Sequence, residues 1–140
     1  MRGEVFLDAG YAIALSASSD RFHERALRLA EMLEKARTPL VTTPAVLLEI
    51  GNALAKQRYR HAAVLLLDAL SQDPNVQVVP LTEELYARAL SLYSERPDKE
   101  WGMTDCLSFV VMRDREVAAA LTADAHYQQA GFRALLLEEA

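Results

Sequence analysis

A three-layer α/β/α fold around a central, mainly parallel sheet of four to five strands is predicted by three observations. Short apolar segments alternate along the chain with longer stretches of helical periodicity. No repeat, low-complexity tract or Pro/Gly/Ser linker divides the 140 residues, which suit one domain spanning residues 1–140. Hydrophobic residues make up 51% and charged residues 25%, a profile that supports a folded core and excludes a disordered chain.

Glu4 to Leu7 reads as a first strand ending at Asp8, and Ala9 to Leu15 as a helix interrupted by the polar stretch Ser16 to Asp20. Phe22 to Arg37 is amphipathic, with Ala26, Leu29, Ala30 and Leu33 at three- and four-residue spacing, and Thr38-Pro39 stops it. Leu40 to Thr42 is a second strand. Thr43 is placed to cap a helix that Pro44 opens and that runs to about Arg58, followed after a tight break by a helix from His61 to Leu70. Asp73-Pro74-Asn75 is a turn before a third strand, Val76 to Val79. Thr82 caps a helix with Glu83 and Glu84 in its first turn, ending near Ser94. A loop from Pro97 to Gly102 precedes an apolar helix from Thr104 to Arg113. Val117 to Leu121 is the fourth strand, Asp124 begins a short helix closed by Gly131, and Arg133 to Leu137 is a candidate last strand.

In a parallel sheet covered on both faces, sites form beyond the carboxyl ends of the strands, where chain order reverses. That rule singles out Asp8, directly after the first strand, and Asp124, two residues after the fourth strand ends at Leu121-Thr122-Ala123. Asp105 opens a helix that is apolar almost all round. At 100° per residue, Glu49 stands about 60° from Val46 and about 40° from Ala53, at the rim of the apolar arc of its helix. Each acid also has an ordinary reading: Asp105 complements a helix dipole, Asp124 caps a helix, and Asp8 punctuates a strand end. Taken together, carboxylates converging on one cleft repel each other, and a divalent cation removes that cost. Oxygen donors without a His/Cys cluster suit Mg2+ or Mn2+ instead of zinc, and such ions serve phosphodiester hydrolysis.

Four blocks carry a resemblance to a known family: Val5-Phe6-Leu7-Asp8; Thr43 to Leu54 with Glu49 inside it; Thr104-Asp105-Cys106-Leu107-Ser108-Phe109; and Leu121 to Phe132 with Asp124. In order and spacing they resemble the signature blocks of PIN domains, most of all the VapC-type toxins of toxin–antitoxin pairs. The resemblance implies a metal-dependent endoribonuclease with Asp8, Glu49, Asp105 and Asp124 as acidic ligands of Mg2+ or Mn2+, holding the cation and orienting the attacking water. It also implies an RNA substrate, an antitoxin protein as partner and a homodimer. Thr104 and Ser108 are candidates to hydrogen-bond a ligand carboxylate or a phosphate oxygen. Asn52, one turn from Glu49, either supports it or is a solvated surface amide. The chain departs from the family where Ala9-Gly10 follows the first acid, a place often held by a hydroxyl residue.

The net charge of −5 argues against a broad basic nucleic-acid face. RNA contacts are therefore sought locally, at Lys56, Arg58, Tyr59, Arg60 and His61, and at Arg96 and Lys99 in the loop before Asp105. The first group also fits as cations placed at a helix C-terminus. Trp101 reads as a core or loop anchor ahead of a base-stacking role, and Cys106 as a buried core residue. The three histidines show no metal-binding spacing; His126, two residues after Asp124, reads as a plain helix position ahead of a place bordering the cleft. One cysteine, no apolar run of ~20 residues and no apolar leader lead to the expectation of a cytoplasmic protein without a membrane segment. The alternative function is a non-catalytic PIN-like module that binds RNA or protein. A dehalogenase-type phosphohydrolase is set aside because Gly10 stands where a second Asp is needed, and a receiver domain because its acidic pair and phosphoacceptor Asp are missing.

Overall fold

The computed structural model describes residues 3–138; Met1-Arg2 and Glu139-Ala140, the ends of the expected 1–140 domain, lie outside them. Five parallel strands form one sheet, β1 (Val5–Leu7), β2 (Leu40–Thr42), β3 (Val76–Val78), β4 (Ala119–Leu121) and β5 (Arg133–Ala134), in the order β3-β2-β1-β4-β5. The register pairs Phe6 with Val41 on one side and with Ala120 on the other. Seven helices connect them: α1 (Ala9–Ser16), α2 (His23–Ala36), α3 (Pro44–Ala53), α4 (Gln57–Gln72), α5 (Glu83–Glu95), α6 (Met103–Asp114) and α7 (Ala125–Gln129).

The two-residue period of the strands sorts the core into two layers. Phe6, Val41 and Ala120 face one way, against Val46 and Ile50 of α3, Leu85 and Ala89 of α5, and Phe109 and Met112 of α6. Val5, Leu7, Ala119 and Leu121 face the other, against Tyr11, Leu29 and Leu33. Because both faces are covered, β1 and β4 are buried at every position and read as apolar runs instead of alternating ones.

Local signals act where they were expected. The Thr43 hydroxyl accepts the Val46 amide at 3.3 Å with Pro44 opening α3, and the Thr82 hydroxyl accepts the Leu85 amide at 3.1 Å. Asp124 accepts the His126 amide at 2.8 Å, and Gly131, at φ +96°, leaves α7 in a conformation that favours glycine. Thr43→Ala is expected to destabilise the fold by about 1–2 kcal/mol, lowering Tm by several degrees in a thermal melt.

Two boundaries differ from the sequence reading. The helix after β2 stops at Ala53 instead of running to Arg58, and α4 begins at Gln57 instead of His61. Leu54 is buried at this corner, and the Arg60 guanidinium donates to the Ala55 carbonyl from Nε and Nη2, at 3.1 and 2.7 Å. Tertiary burial of one leucine and a side-chain cap on a loose carbonyl thus break a pattern that is locally helical throughout. At the other end, β5 is two residues long. Leu135–Leu137 turn into a 3-10 helix, in which the Leu136 amide donates to the Thr122 carbonyl at 3.0 Å and buries Leu135 and Leu136 against β4.

The order β3-β2-β1-β4-β5 means that the chain runs outward from β1 in one direction and returns to β1's other side at β4. The carboxyl ends of β1 and β4 therefore flank the topological switch point.

Candidate functional site

Asp8 leaves the end of β1 and Asp124 the loop after β4; the Asp8 amide itself donates to the Leu121 carbonyl at 3.4 Å. The N-terminal turn of α6 brings Asp105 to the same edge, where one of its carboxylate oxygens accepts the Gly102 amide at 3.1 Å and faces His126 Nδ1 at 3.1 Å. His126 Nδ1 also stands 3.3 Å from Asp124 Oδ1. Asp105, Asp124 and His126 offer ligand atoms that all lie within 4.8 Å of one another. Glu49, on α3, is exposed at the rim and within electrostatic reach of Asp8, Asp105 and Asp124.

The acids perturb one another as the convergence requires. Burial pushes the Asp8 carboxyl up from 3.8 to about 6, against hydrogen bonding from the Thr122 hydroxyl and the Ala9 amide, with the charge of Glu49 adding to the rise. Glu49, exposed but partly desolvated where the rim meets the cluster, is raised first by that desolvation, opposed by the Thr104 hydroxyl, and raised further by Asp105 and Asp124. Asp105 is raised by burial and then by Asp124, while the Gly102 amide and His126 pull it down. Behind these groups the Tyr127 hydroxyl is fully buried beside Asp8, and among the described residues it has no hydrogen-bond partner. Burial and the Asp8 charge hold its pKa well above the ordinary value.

The ordinary readings of these acids are also realised. Asp124 caps α7 through Oδ1 and Asp105 sits in the first turn of α6, so capping and convergence are not rivals: the caps hold the carboxylates at the sheet edge.

Of the supporting residues, Thr104 lies near Glu49 and holds back the rise of its pKa. Ser108 is fully buried, and its hydroxyl donates to the Thr104 carbonyl at 3.0 Å, so it serves the α6 backbone. Asn52 is exposed and makes no hydrogen bond among the described residues, the surface amide of the two readings. The hydroxyl missing after the first acid is supplied from the loop after β4: Thr122 Oγ1 donates to Asp8 Oδ2 at 2.6 Å in a buried hydrogen bond.

Lys56, Arg58, Tyr59 and Arg60 lie at the N-terminal end of α4, not at a helix C-terminus, which corrects the dipole reading of these cations. Lys56 and Arg58 are exposed and have no carboxylate partner among the described residues. Arg58 covers one face of the Tyr59 ring at 4.8 Å, and Tyr59 packs against the core. Arg96 pairs with Asp98 and lies over Trp101, and Lys99 lines the same groove beside Gly102. Trp101 is buried and donates to Gln129 at 3.1 Å, as its anchor reading requires; Cys106 is buried too.

Three residues escaped the sequence reading. Thr122 was overlooked because a hydroxyl was sought next to Asp8 in the chain, and its partner is 114 residues away. The place of the Tyr127 hydroxyl beside Asp8 carries no signal in the sequence. His126, for which the plain helix position outweighs the cleft border in the sequence, faces two acids at once; its signal is its place two residues beyond a capping aspartate, inside the first turn.

Comparison with known proteins agrees with this architecture. A match to the PIN domain family covers residues 5–133. The chain is 27% identical over 128 residues to the 23S rRNA-specific endonuclease VapC20 of Mycobacterium tuberculosis, in strains CDC 1551 / Oshkosh and ATCC 25618 / H37Rv, covering 91% of this chain and 95% of that protein. The crystal structure of Mycobacterium tuberculosis VapC20, described as a sarcin-ricin loop cleaving toxin, superposes with a TM-score of 0.80 at 27% identity, over 91% of this chain and 95% of the other.

Proposed function

This chain belongs to the PIN-domain family, and on that premise we propose that it is a divalent-metal-dependent endoribonuclease, the toxin of a toxin–antitoxin pair, folding as one PIN domain. The observation that carries the reading is the convergence of Asp8, Glu49, Asp105 and Asp124, from four separate segments, at the switch point of a parallel sheet. Asp8, Glu49 and Asp105 are each raised by desolvation and by the charge of a neighbouring acid, Glu49 for Asp8, Asp105 and Asp124 for Glu49, and Asp124 for Asp105, and positive charge is what such a cluster lacks. Its donors, largely carboxylate oxygens, fit Mg2+ or Mn2+.

Asp105 and Asp124 would hold the ion, with Asp8 beneath them and Glu49 at the open rim. When bound, the ion supplies positive charge to the scissile phosphodiester and acidifies the attacking water. The chain's own part is positional. The Thr122 hydroxyl fixes the Asp8 carboxylate, the Gly102 amide fixes Asp105, and the α7 cap fixes Asp124. Glu49, steadied by Thr104, faces solvent where it can orient a water and accept its proton.

Lys56, Arg58 and Lys99 are the cations we assign to RNA phosphates, with Tyr59 and Arg60 shaping the corner that presents the first two. The antitoxin, the homodimer and a cytoplasmic setting complete this reading; among the described residues no helix is long and apolar enough to cross a membrane.

The test is cleavage of structured and single-stranded RNAs, with the sarcin–ricin loop named for the relative as the first substrate. Cutting is expected with Mg2+ or Mn2+ and none with chelator. RNA binding without cutting under any metal would replace this reading by that of a non-catalytic module.

A further inference from the structure

His126 joins Asp105 and Asp124 as the nitrogen donor of the cluster. Its backbone amide already satisfies the Asp124 cap at 2.8 Å, so the ring is not needed to close α7. Yet the ring turns inward, and its Nδ1 stands 3.1 Å from Asp105 Oδ2 and 3.3 Å from Asp124 Oδ1. Two donors at neighbouring corners of an octahedral cation with bonds of about 2.1 Å stand about 3 Å apart, so these separations match the edges of such a polyhedron. Each partner oxygen already accepts a backbone amide, Gly102 for Asp105 and His126 for Asp124, which fixes its direction. Beside Asp8, the buried Tyr127 hydroxyl makes no hydrogen bond among the described residues.

We infer that His126 is a direct nitrogen ligand of the divalent ion, through Nδ1, alongside Asp105 and Asp124. The inference rests on the metal-dependent reading above and adds a ligand of a different class to it. Carboxylate oxygens alone serve Mg2+ and Mn2+ alike, whereas an imidazole nitrogen is a poor donor for Mg2+ and a good one for transition metals. The consequence is selectivity: this centre holds Mn2+ in preference to Mg2+, and His126 is the reason.

The competing role for the same geometry is a ring N–H that donates to Asp105 and only orients it. Pulsed electron paramagnetic resonance of the wild-type protein loaded with Mn2+ alone separates the two. Direct ligation gives a strong 14N coupling that changes to a 15N coupling when histidine is labelled. Mn2+ and Mg2+ affinities are then compared by titration calorimetry for wild type, His126→Ala and His126→Asn, each variant first shown to melt cooperatively. Mn2+ affinity is expected to fall about 10–100-fold, and the Mn2+/Mg2+ ratio by about tenfold or more, in both variants. Asn keeps a side-chain N–H, so a preserved ratio in His126→Asn would mean that hydrogen bonding was all the ring supplied. That result, or Mn2+ bound without directly coupled nitrogen, overturns the inference while the metal-dependent reading stands. If the wild type binds neither ion, both fall.

Discussion

Asp105→Asn is expected to lower RNA cleavage at saturating Mg2+ or Mn2+ by about a thousandfold, some 4 kcal/mol of transition-state stabilisation. Asn preserves the shape of the side chain and an oxygen that can accept the Gly102 amide, so α6 keeps its first-turn contact. What disappears is the negative charge facing Asp124 and His126. Removing an acid from a crowded cluster relieves repulsion, so the variant is expected to fold at least as well as the wild type. RNA binding should survive, because the assigned phosphate contacts lie on α4 and in the loop before α6. Single-turnover cleavage and filter binding, run side by side, check both halves. A variant that still cuts at the wild-type rate would remove Asp105 from the site; one that binds no RNA would show that the cluster, not the basic corner, carries the affinity.

Asp8→Asn is expected to separate stability from activity more sharply. The Asp8 carboxyl is buried, and its pKa is raised from 3.8 to about 6 in the metal-free fold. Burial favours the neutral acid, so its stabilising advantage is fully present below pH 3.8 and is lost as pH rises through about 6. At neutral pH the ionised group costs the metal-free fold on the order of 3 kcal/mol. Asn carries no charge and retains an acceptor for the Thr122 hydroxyl, and its amide N–H lies near the unpartnered Tyr127 oxygen. In chelator at pH 7.5 the variant should therefore be more stable by about 1–3 kcal/mol, raising Tm by roughly 3–10 °C. Near pH 4 the difference should largely vanish.

Saturating Mn2+ should reverse the order. A ligand at 100 times its Kd adds about 2.7 kcal/mol to a fold that binds it, and the variant lacks one of the acids assigned to that ion. Calorimetric melts across pH, with chelator and with Mn2+, test the sequence of effects. A variant less stable than wild type in chelator at neutral pH would mean that Asp8 is not a strained charge, and the case for a counter-ion would lose its main physical support.

How far the chain could be read from its residues is seen best at particular places. Thr43 with Pro44, Thr82 and Asp124 were legible as caps because capping links a side chain to an amide two or three residues away. The acids were legible because strand ends and helix starts place them at one edge under a general rule of parallel sheets. The end of α3 was not, since nothing local stops a helix at Ala53; burial of Leu54 and the Arg60 contact with Ala55 do. Nor was the brevity of β5, where burying Leu135 and Leu136 prevails over two more strand pairs.

The same division runs through the site. By itself the sequence determined the fold class and most of the strands and helices, and it singled out four acids as candidates, because periodicity, capping and strand-end placement act within a few residues. Only the tertiary structure decided the groups around them. Thr122 reaches Asp8 across 114 residues, the Tyr127 hydroxyl is left unpaired beneath it, and the His126 ring turns between Asp105 and Asp124. Such contacts depend on how distant elements pack and which way a side chain turns once buried, and no spacing along the chain encodes either.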